Sequence, residues 1–167
     1  KINIFKRFGT AMIKFNNYNI EFVGARKESY SNDSRKPSVE EGTFLDDMLR
    51  RDFTINTLAI RLNKNYFGEL IDTFGGIDDI EKGIIKTPTD PNKTFSDDPL
   101  RMLRAIRFSC ELNFDIDMDT QNSIKKNSNR LEILSSERIS DEINKILMSQ
   151  TPSNGFKNLG KLNLLNH

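Results

Sequence analysis

The chain has 167 residues, of which 36% are hydrophobic and 29% are charged. This length suits one medium domain or two small ones, and the apolar content excludes a wholly disordered chain. Because 25 Lys and Arg balance 24 Asp and Glu, net charge gives no argument for a nucleic-acid partner. The single cysteine, Cys110, excludes an intrachain disulfide framework, and no apolar run approaches the roughly 18 residues of a membrane span. We therefore expect a cytoplasmic protein without a membrane segment.

The N-terminal part of the chain carries strand signals. Apolar residues cluster or alternate over 2–5, 11–15 and 20–23, and the Asn-rich stretch 16–19 indicates a hairpin turn. Residues 26–47 are polar and show almost no apolar periodicity. That segment is typical of a long mobile loop.

Helical patterns prevail further along the chain. A helix is predicted over 50–62, and a short strand over 68–72. Ser96 is predicted to cap a long helix in which apolar residues recur at spacings of three and four. Further helices are predicted at about 119–128 and 136–149. The predicted fold class is α+β, with a small sheet first and helices after it.

The strongest local motif is RRDFTIN, residues 50–56. The planar guanidinium group of arginine suits phosphate oxygens, and Asp or Asn suits ribose hydroxyls. The motif is thus a candidate grip for a triphosphate and its ribose. The alternative is a solvated helix start with an acid–base pair.

A second motif, DTFGG, places Asp72 before the glycine pair Gly75 and Gly76. Paired glycines permit a tight turn or a hinge that other residues resist. An ordinary turn between a strand and a helix is the alternative.

The third motif, DDPLRMLRAIRF, puts Asp98 and Arg101 three residues apart, on one face of the predicted helix. A carboxylate accepts hydrogen bonds and a guanidinium donates them, so the pair is suited to reading the edge of a nucleobase. The alternative is an intrahelical salt bridge, worth a few tenths of a kcal/mol.

In this order the three motifs resemble the class II tRNA nucleotidyltransferases, the family of CCA-adding and related poly(A)-adding enzymes. IEFVGARKESY (20–30) and ERISDEINKIL (137–147) fit the same family. The resemblance implies a partial nucleotidyltransferase head over 1–72 and a linker with a hinge over 73–92. It implies a helical neck for nucleotide templating and RNA binding over 93–167.

The resemblance also assigns roles to residues. The implied nucleotide-binding residues are Arg50, Arg51, Asp52, Asn56, Asp98, Arg101 and Arg104. Within this set, Asp98 and Arg101 match the family's base-reading pair, and Asp97 stands where the family normally has glutamate. The implied hinge residues are Asp72, Gly75 and Gly76. Arg138 and Glu142 match a later block that stabilises a helix.

The implied reaction is nucleotidyl transfer from CTP or ATP to the 3′ end of tRNA, assisted by Mg2+. The family holds the metal mainly with an Asp-x-Asp pair on a strand that precedes the part of the family matched by this chain. Glu21 matches a third carboxylate and is the candidate catalytic and metal-binding residue. We therefore expect an internal fragment that is inactive alone and binds tRNA weakly.

Two other functions remain open on the sequence. A poly(A) polymerase of the same family shares these motifs, and base choice on defined tRNA ends would separate the two. A non-catalytic RNA-binding module is the other alternative, but the balanced charge, the absence of tryptophan and only 3 tyrosines argue against it. The sequence predicts neither the oligomeric state nor whether C, A or both are added.

Overall fold

The computed structural model describes residues 2–5, 9–31 and 34–166. The strands are β1 (Ile2–Phe5), β2 (Thr10–Phe15), β3 (Tyr18–Val23), β4 (Arg26–Ser31), β5 (Ser34–Glu41), β6 (Ala59–Ile60), β7 (Leu70–Ile71), β8 (Ile84–Ile85) and β9 (Asp115–Ile116). The helices are α1 (Phe44–Leu49), α2 (Gly76–Lys82), α3 (Pro91–Asp97), α4 (Leu100–Leu112), α5 (Met118–Asn127), α6 (Ser136–Leu147) and α7 (Pro152–Lys161). The α+β prediction, with strands first and helices after them, is confirmed.

Strands β1, β2 and β3 form an antiparallel meander in chain order. Ile13 of β2 lies opposite Ile2 on one side and Ile20 on the other. Asn16 adopts a left-handed conformation, φ 53°, which allows the tight turn between β2 and β3. The three predicted strands and their turn are therefore confirmed.

The prediction of a long mobile loop over 26–47 is wrong. Strands β4 and β5 pair there as an antiparallel hairpin, with Arg26 opposite Glu41 and Lys27 opposite Glu40. Opposite charges facing each other across strands stabilise such a pair without an apolar face. Strands whose facing residues are polar show no apolar periodicity, so the hairpin could not be predicted from the hydrophobic pattern.

The prediction of a helix over 50–62 is also wrong. Helix α1 begins earlier, with a capping box between Thr43 and Asp46, and ends at Leu49. The following motif forms only a short 3-10 turn, Thr54–Asn56, and the backbone N–H of Thr54 bonds to Lys86 O at 2.8 Å. A tertiary partner thus replaces the helical hydrogen bond.

The core lies in the C-terminal half, around α4. Phe95, Met102 and Ile106 are fully buried, and α4 packs against α3, α6 and α7. Cys110, 1% exposed, is also a core residue. Strands β8 and β9 pair in parallel beside α4.

The helix boundaries correct one sequence prediction. Ser96 does not cap a helix, because it lies inside α3, whose N-cap is Asp90. The long helix α4 instead begins after Pro99, which takes the N-cap position. The predicted helices α5 and α6 are confirmed, and α7 was not predicted. No helix within the described ranges is long and apolar enough to cross a membrane.

Candidate functional site

A cleft of about 920 Å³ opens between the β4–β5 hairpin, helix α1 with the segment after it, and the start of α4. We call it the arginine cleft. Its arginines are Arg26, Arg50, Arg51, Arg101, Arg104 and Arg138, and its carboxylates are Glu28, Asp47, Asp52 and Asp98. All seven residues predicted to bind a nucleotide lie on its walls. Three separate stretches of sequence therefore meet at one cationic surface, which suits an anionic ligand.

Asp47 holds the two adjacent arginines at the cleft. Arg50 Nε donates to Asp47 Oδ1 at 3.0 Å, and Arg51 Nη2 donates to Asp47 Oδ2 at 3.1 Å. Burial raises the pKa of Asp47, but these two guanidinium groups outweigh it and hold that pKa below its usual range. The sequence analysis missed Asp47, although its spacing of three and four residues from the arginines was the available signal. The carboxylate orients both cations, and the Arg51 side chain stays 39% exposed.

Asp52 is the centre of a second network. Its Oδ1 accepts from Phe53 N at 3.0 Å and from Asn56 Nδ2 at 2.9 Å. Its Oδ2 lies 2.7 Å from both Nε and Nη2 of Arg104. The Asp52 carboxylate is therefore engaged by protein donors, and it orients Asn56 and Arg104 along the cleft wall.

Asp98 and Arg101 both line the cleft, but only Arg101 belongs to α4. Asp98 is the C-cap of α3 in an extended conformation, so the prediction of one shared helix face is wrong. Asp98 Oδ1 accepts from Leu100 N at 3.2 Å. Arg101 is mostly buried and donates from Nη2 to Arg50 O at 2.6 Å and from Nη1 to Thr94 O at 3.4 Å. The Arg101 side chain thus links α4 to the RRDFTIN segment, residues 50–56, which we call the arginine motif.

Strand β4 contributes a wall that the sequence analysis did not assign. Arg26, Glu28 and Tyr30 alternate along it and all line the cleft. The Tyr30 hydroxyl donates to Glu28 Oε2 at 2.6 Å, and Glu28 Oε1 lies 3.4 Å from Arg50 Nη1. Burial, together with the hydrogen bond to Glu28, raises the pKa of Tyr30, which keeps the phenol protonated as a donor. The spacing of these three residues at every second position is typical of one face of a strand, and the sequence analysis missed this signal.

Glu142 of α6 supports the cleft from behind. It is 3% exposed and accepts from Arg107 Nε and from Lys145 Nζ, both at 2.8 Å. The Arg107 guanidinium lies 4.0 Å from the centre of the Phe108 ring, which itself lines the cleft. Glu142 therefore ties α6 to α4 through Arg107, a partner that the sequence did not identify. Arg138 lies on the cleft wall.

The DTFGG motif forms a capped turn at the start of α2. Asp72 accepts from the backbone N–H of Gly76 at 2.8 Å and of Ile77 at 3.0 Å, and Gly75 has φ 72°. Burial raises the pKa of Asp72, but the backbone N–H groups outweigh it and lower that pKa. This geometry places Asp72, Gly75 and Gly76 together at one turn, while their predicted hinge motion stays a prediction.

The described residues do not form a magnesium site by themselves. Glu21 lies on the exposed strand β3, opposite Met12, and is outside the arginine cleft. Within the described ranges, no group of three or more His, Cys, Asp or Glu side chains is placed to hold a metal ion. Mg2+ in phosphoryl-transfer sites is shared between carboxylates and substrate phosphates, so Glu21 alone does not fit. Its catalytic and metal-binding role rests on the resemblance alone.

Comparison with known proteins identifies the relatives of this chain. Residues 1–86 match the family model described as "Poly A polymerase head domain", and residues 113–167 match "Probable RNA and SrmB- binding site of polymerase A". The chain is 42% identical to a CCA-adding enzyme of Limosilactobacillus reuteri (strain DSM 20016), over 89% of this chain and 36% of that enzyme. It therefore spans little more than a third of this curated relative.

Solved structures agree with this fold. The CCA-adding enzyme of Bacillus stearothermophilus in complex with CTP has a TM-score of 0.81 and 32% identity, covering 93% of this chain and 37% of that one. A tRNA nucleotidyltransferase with a primer tRNA and an incoming ATP analogue has a TM-score of 0.83 and 31% identity. That match covers 99% of this chain and 46% of the other.

Proposed function

The chain belongs to the family of the poly A polymerase head domain, and on that premise we propose that its arginine cleft selects and holds an incoming nucleoside triphosphate. The proposed whole-protein reaction is transfer of C or A nucleotides from CTP or ATP to the 3′ end of tRNA. The single observation that carries the proposal is the meeting of all seven predicted nucleotide-binding residues on one cleft.

We propose distinct tasks for two groups of residues in the cleft. Arg50 and Arg51, oriented by Asp47, neutralise the triphosphate, because their guanidinium groups match phosphate oxygens. Asn56 and Arg104, oriented by Asp52, lie beside them and are placed for the ribose. This part of the cleft supplies affinity that is independent of the base.

A second group, Asp98 and Arg101, is proposed to read the base. The Asp98 carboxylate accepts hydrogen bonds and the Arg101 guanidinium donates them, so the pair distinguishes bases by their edge. Arg101 is already bonded to Arg50 O, which fixes its position before a ligand arrives. Pre-organised donors of this kind favour one arrangement of the ligand over others.

For the whole protein we propose that Mg2+ assists the transfer by neutralising charge on the leaving pyrophosphate. The described residues do not supply that site, and no step is assigned to Glu21. We also propose that the 167-residue chain alone does not transfer nucleotides and serves as the nucleotide-selecting part. The proposed division is a head over 1–72, a linker over 73–92 and a neck over 93–167.

A poly(A) polymerase activity is the second candidate. The specific observation in its favour is the match of residues 1–86 to the poly A polymerase head domain. A poly(A) polymerase is expected to select ATP alone, whereas a CCA-adding enzyme is expected to select both CTP and ATP.

The test is a calorimetric titration of this chain with CTP, ATP, GTP, UTP and inorganic triphosphate, each with magnesium. Arg51→Gln is expected to weaken binding of every nucleotide about fivefold, because one charge-assisted bond to phosphate is lost. Asp98→Asn is expected to change the ratio of affinities between bases, because one acceptor becomes a donor. The amide oxygen in this variant would still accept from Leu100 N, so the turn is retained.

Arg61→Gln is the matched control, since Arg61 pairs with Glu69 on the β6–β7 hairpin, outside the cleft. Its affinities should equal those of the wild type. Equal binding of all four nucleotides by wild type and by Asp98→Asn would contradict base selection. Binding unaffected by Arg51→Gln would contradict the phosphate grip.

A further inference from the structure

The arginine motif is fastened from behind by its own Thr54. Thr54 is 2% exposed and lies outside the arginine cleft. Its Oγ1 donates to Asp79 Oδ2 of helix α2 at 2.7 Å, and its N–H donates to Lys86 O at 2.8 Å. Asp52 and Asn56, on either side of Thr54, both line the cleft, so these bonds fix the segment that carries them.

The backbone of the same residue is held at close range by α2. A Cβ atom on Gly76 would lie 2.5 Å from the Thr54 carbonyl oxygen. This distance is too short for a carbon–oxygen contact, so only glycine fits at this position. The carbonyl also accepts from Thr57 N at 2.9 Å and from Thr57 Oγ1 at 2.7 Å. Side chain and backbone of Thr54 therefore both dock against the turn that Asp72 caps.

We propose that Thr54 and Asp79 form a latch that positions segment 50–56 for the nucleotide, so that they set nucleotide affinity without touching the ligand. This inference rests on the proposed function of the arginine cleft. It also revises the expectation of a free hinge at Gly75 and Gly76. A swivel at that turn would break the bond between Thr54 and Asp79, so α2 and the arginine motif move as one body.

The test compares Thr54→Val, an isostere without the hydroxyl, with Thr54→Ser, which retains it. Asp79→Ala is compared with Asp78→Ala. Asp78 is the exposed neighbour of Asp79 on α2, and among the described residues Asp78 forms an ion pair with Lys82. The first readout is amide hydrogen exchange, and the second is CTP affinity by calorimetry.

Thr54→Val and Asp79→Ala are expected to lower the exchange protection of residues 51–57 about tenfold, because a bond to a charged acceptor is lost. Their CTP affinity should fall about fivefold, while the protection of α6 stays unchanged. Thr54→Ser and Asp78→Ala should remain within about twofold of the wild type in both readouts.

Unchanged protection of residues 51–57 in the two latch variants would overturn the proposal, as would an equal loss of protection throughout the chain. Lower protection without loss of CTP affinity would overturn the positioning role. Absence of CTP binding in the wild type would instead contradict the proposed function of the cleft in this chain. In that case the exchange data would still decide whether the latch exists.

Discussion

The two halves of this molecule are stabilised differently. Residues 2–5, 9–30 and 37–46 include none that is buried, and every residue of β1 and β3 is exposed. The helical half buries a continuous cluster around Phe95, Met102 and Ile106. The strand half depends on backbone pairing, whereas the helical half depends on apolar burial. The arginine cleft lies where the two halves meet, so side chains from both form its walls.

The largest difference between the halves is expected in the cost of removing an aromatic ring. Phe95→Ala should lower the free energy of unfolding by about 4 kcal/mol, because a fully buried ring leaves a cavity. Phe22→Ala, on a ring that is 56% exposed, should change it by less than about 0.5 kcal/mol. Urea unfolding measures both. Similar values for the two variants would contradict the contrast between the halves.

The buried acid of α6 should give the next largest effect. Glu142→Ala leaves the Arg107 guanidinium, whose side chain is 11% exposed, without a carboxylate partner from α6. Because Arg107 keeps its other carboxylate partner, Glu111, we expect a loss of about 2.5 kcal/mol in unfolding free energy. Asp141→Ala, on an exposed neighbour in the same helix, is the control and should cost less than about 0.5 kcal/mol. If both variants unfolded at the same urea concentration, Glu142 would not be the tie between α4 and α6.

The paired glycines should differ from each other. Gly76→Ala brings a methyl group against the Thr54 carbonyl and should cost about 2 kcal/mol. Gly75→Ala meets no atom within 4 Å, and its φ of 72° should cost about 1 kcal/mol. Thermal unfolding ranks the two. A larger effect at Gly75 would show that backbone conformation, and not close packing, demands the pair.

The smallest effect is expected on acidification. Asp47, which lines the cleft, and Asp72, which caps the turn before α2, have pKa values below their usual range. Their contribution is complete above the unfolded pKa of about 4 and is lost as pH falls through the folded values. As the pH is lowered past about 4, residues 43–57 should therefore lose their amide protection at a higher pH than α4 does. Earlier loss of protection in α4 would contradict this order.

Sequence pattern predicted strands β1 to β3 and helices α5 and α6, but not helix α7. The strands follow from apolar residues that cluster or alternate along them. The β4–β5 hairpin was not predicted because the residues that face each other across it are polar. The structure of segment 50–62 was predicted wrongly because the partners of Asp52 and Thr54 lie elsewhere in the chain. Arg104, for example, is 52 residues from Asp52. No pattern within one short window contains such a pair.

The residues of the candidate site were predictable in part, and their arrangement was not: Glu21, the predicted catalytic residue, lies outside the cleft. Resemblance selected the seven residues that meet in the cleft. It did not supply the residues that orient them, Asp47 and Glu28, because these carry no motif of their own. Nor did it reveal that the Arg101 side chain is already bonded to the Arg50 carbonyl.

The most direct test of the nucleotide site is the location of bound CTP on this chain. Hydrogen exchange with and without saturating CTP and magnesium would report it segment by segment. We predict new protection at residues 26–30, 50–56 and 98–104, with no change in α5 and α7. Protection confined to α5 and α7, or none in the three cleft segments, would contradict the claim that the arginine cleft is the nucleotide site.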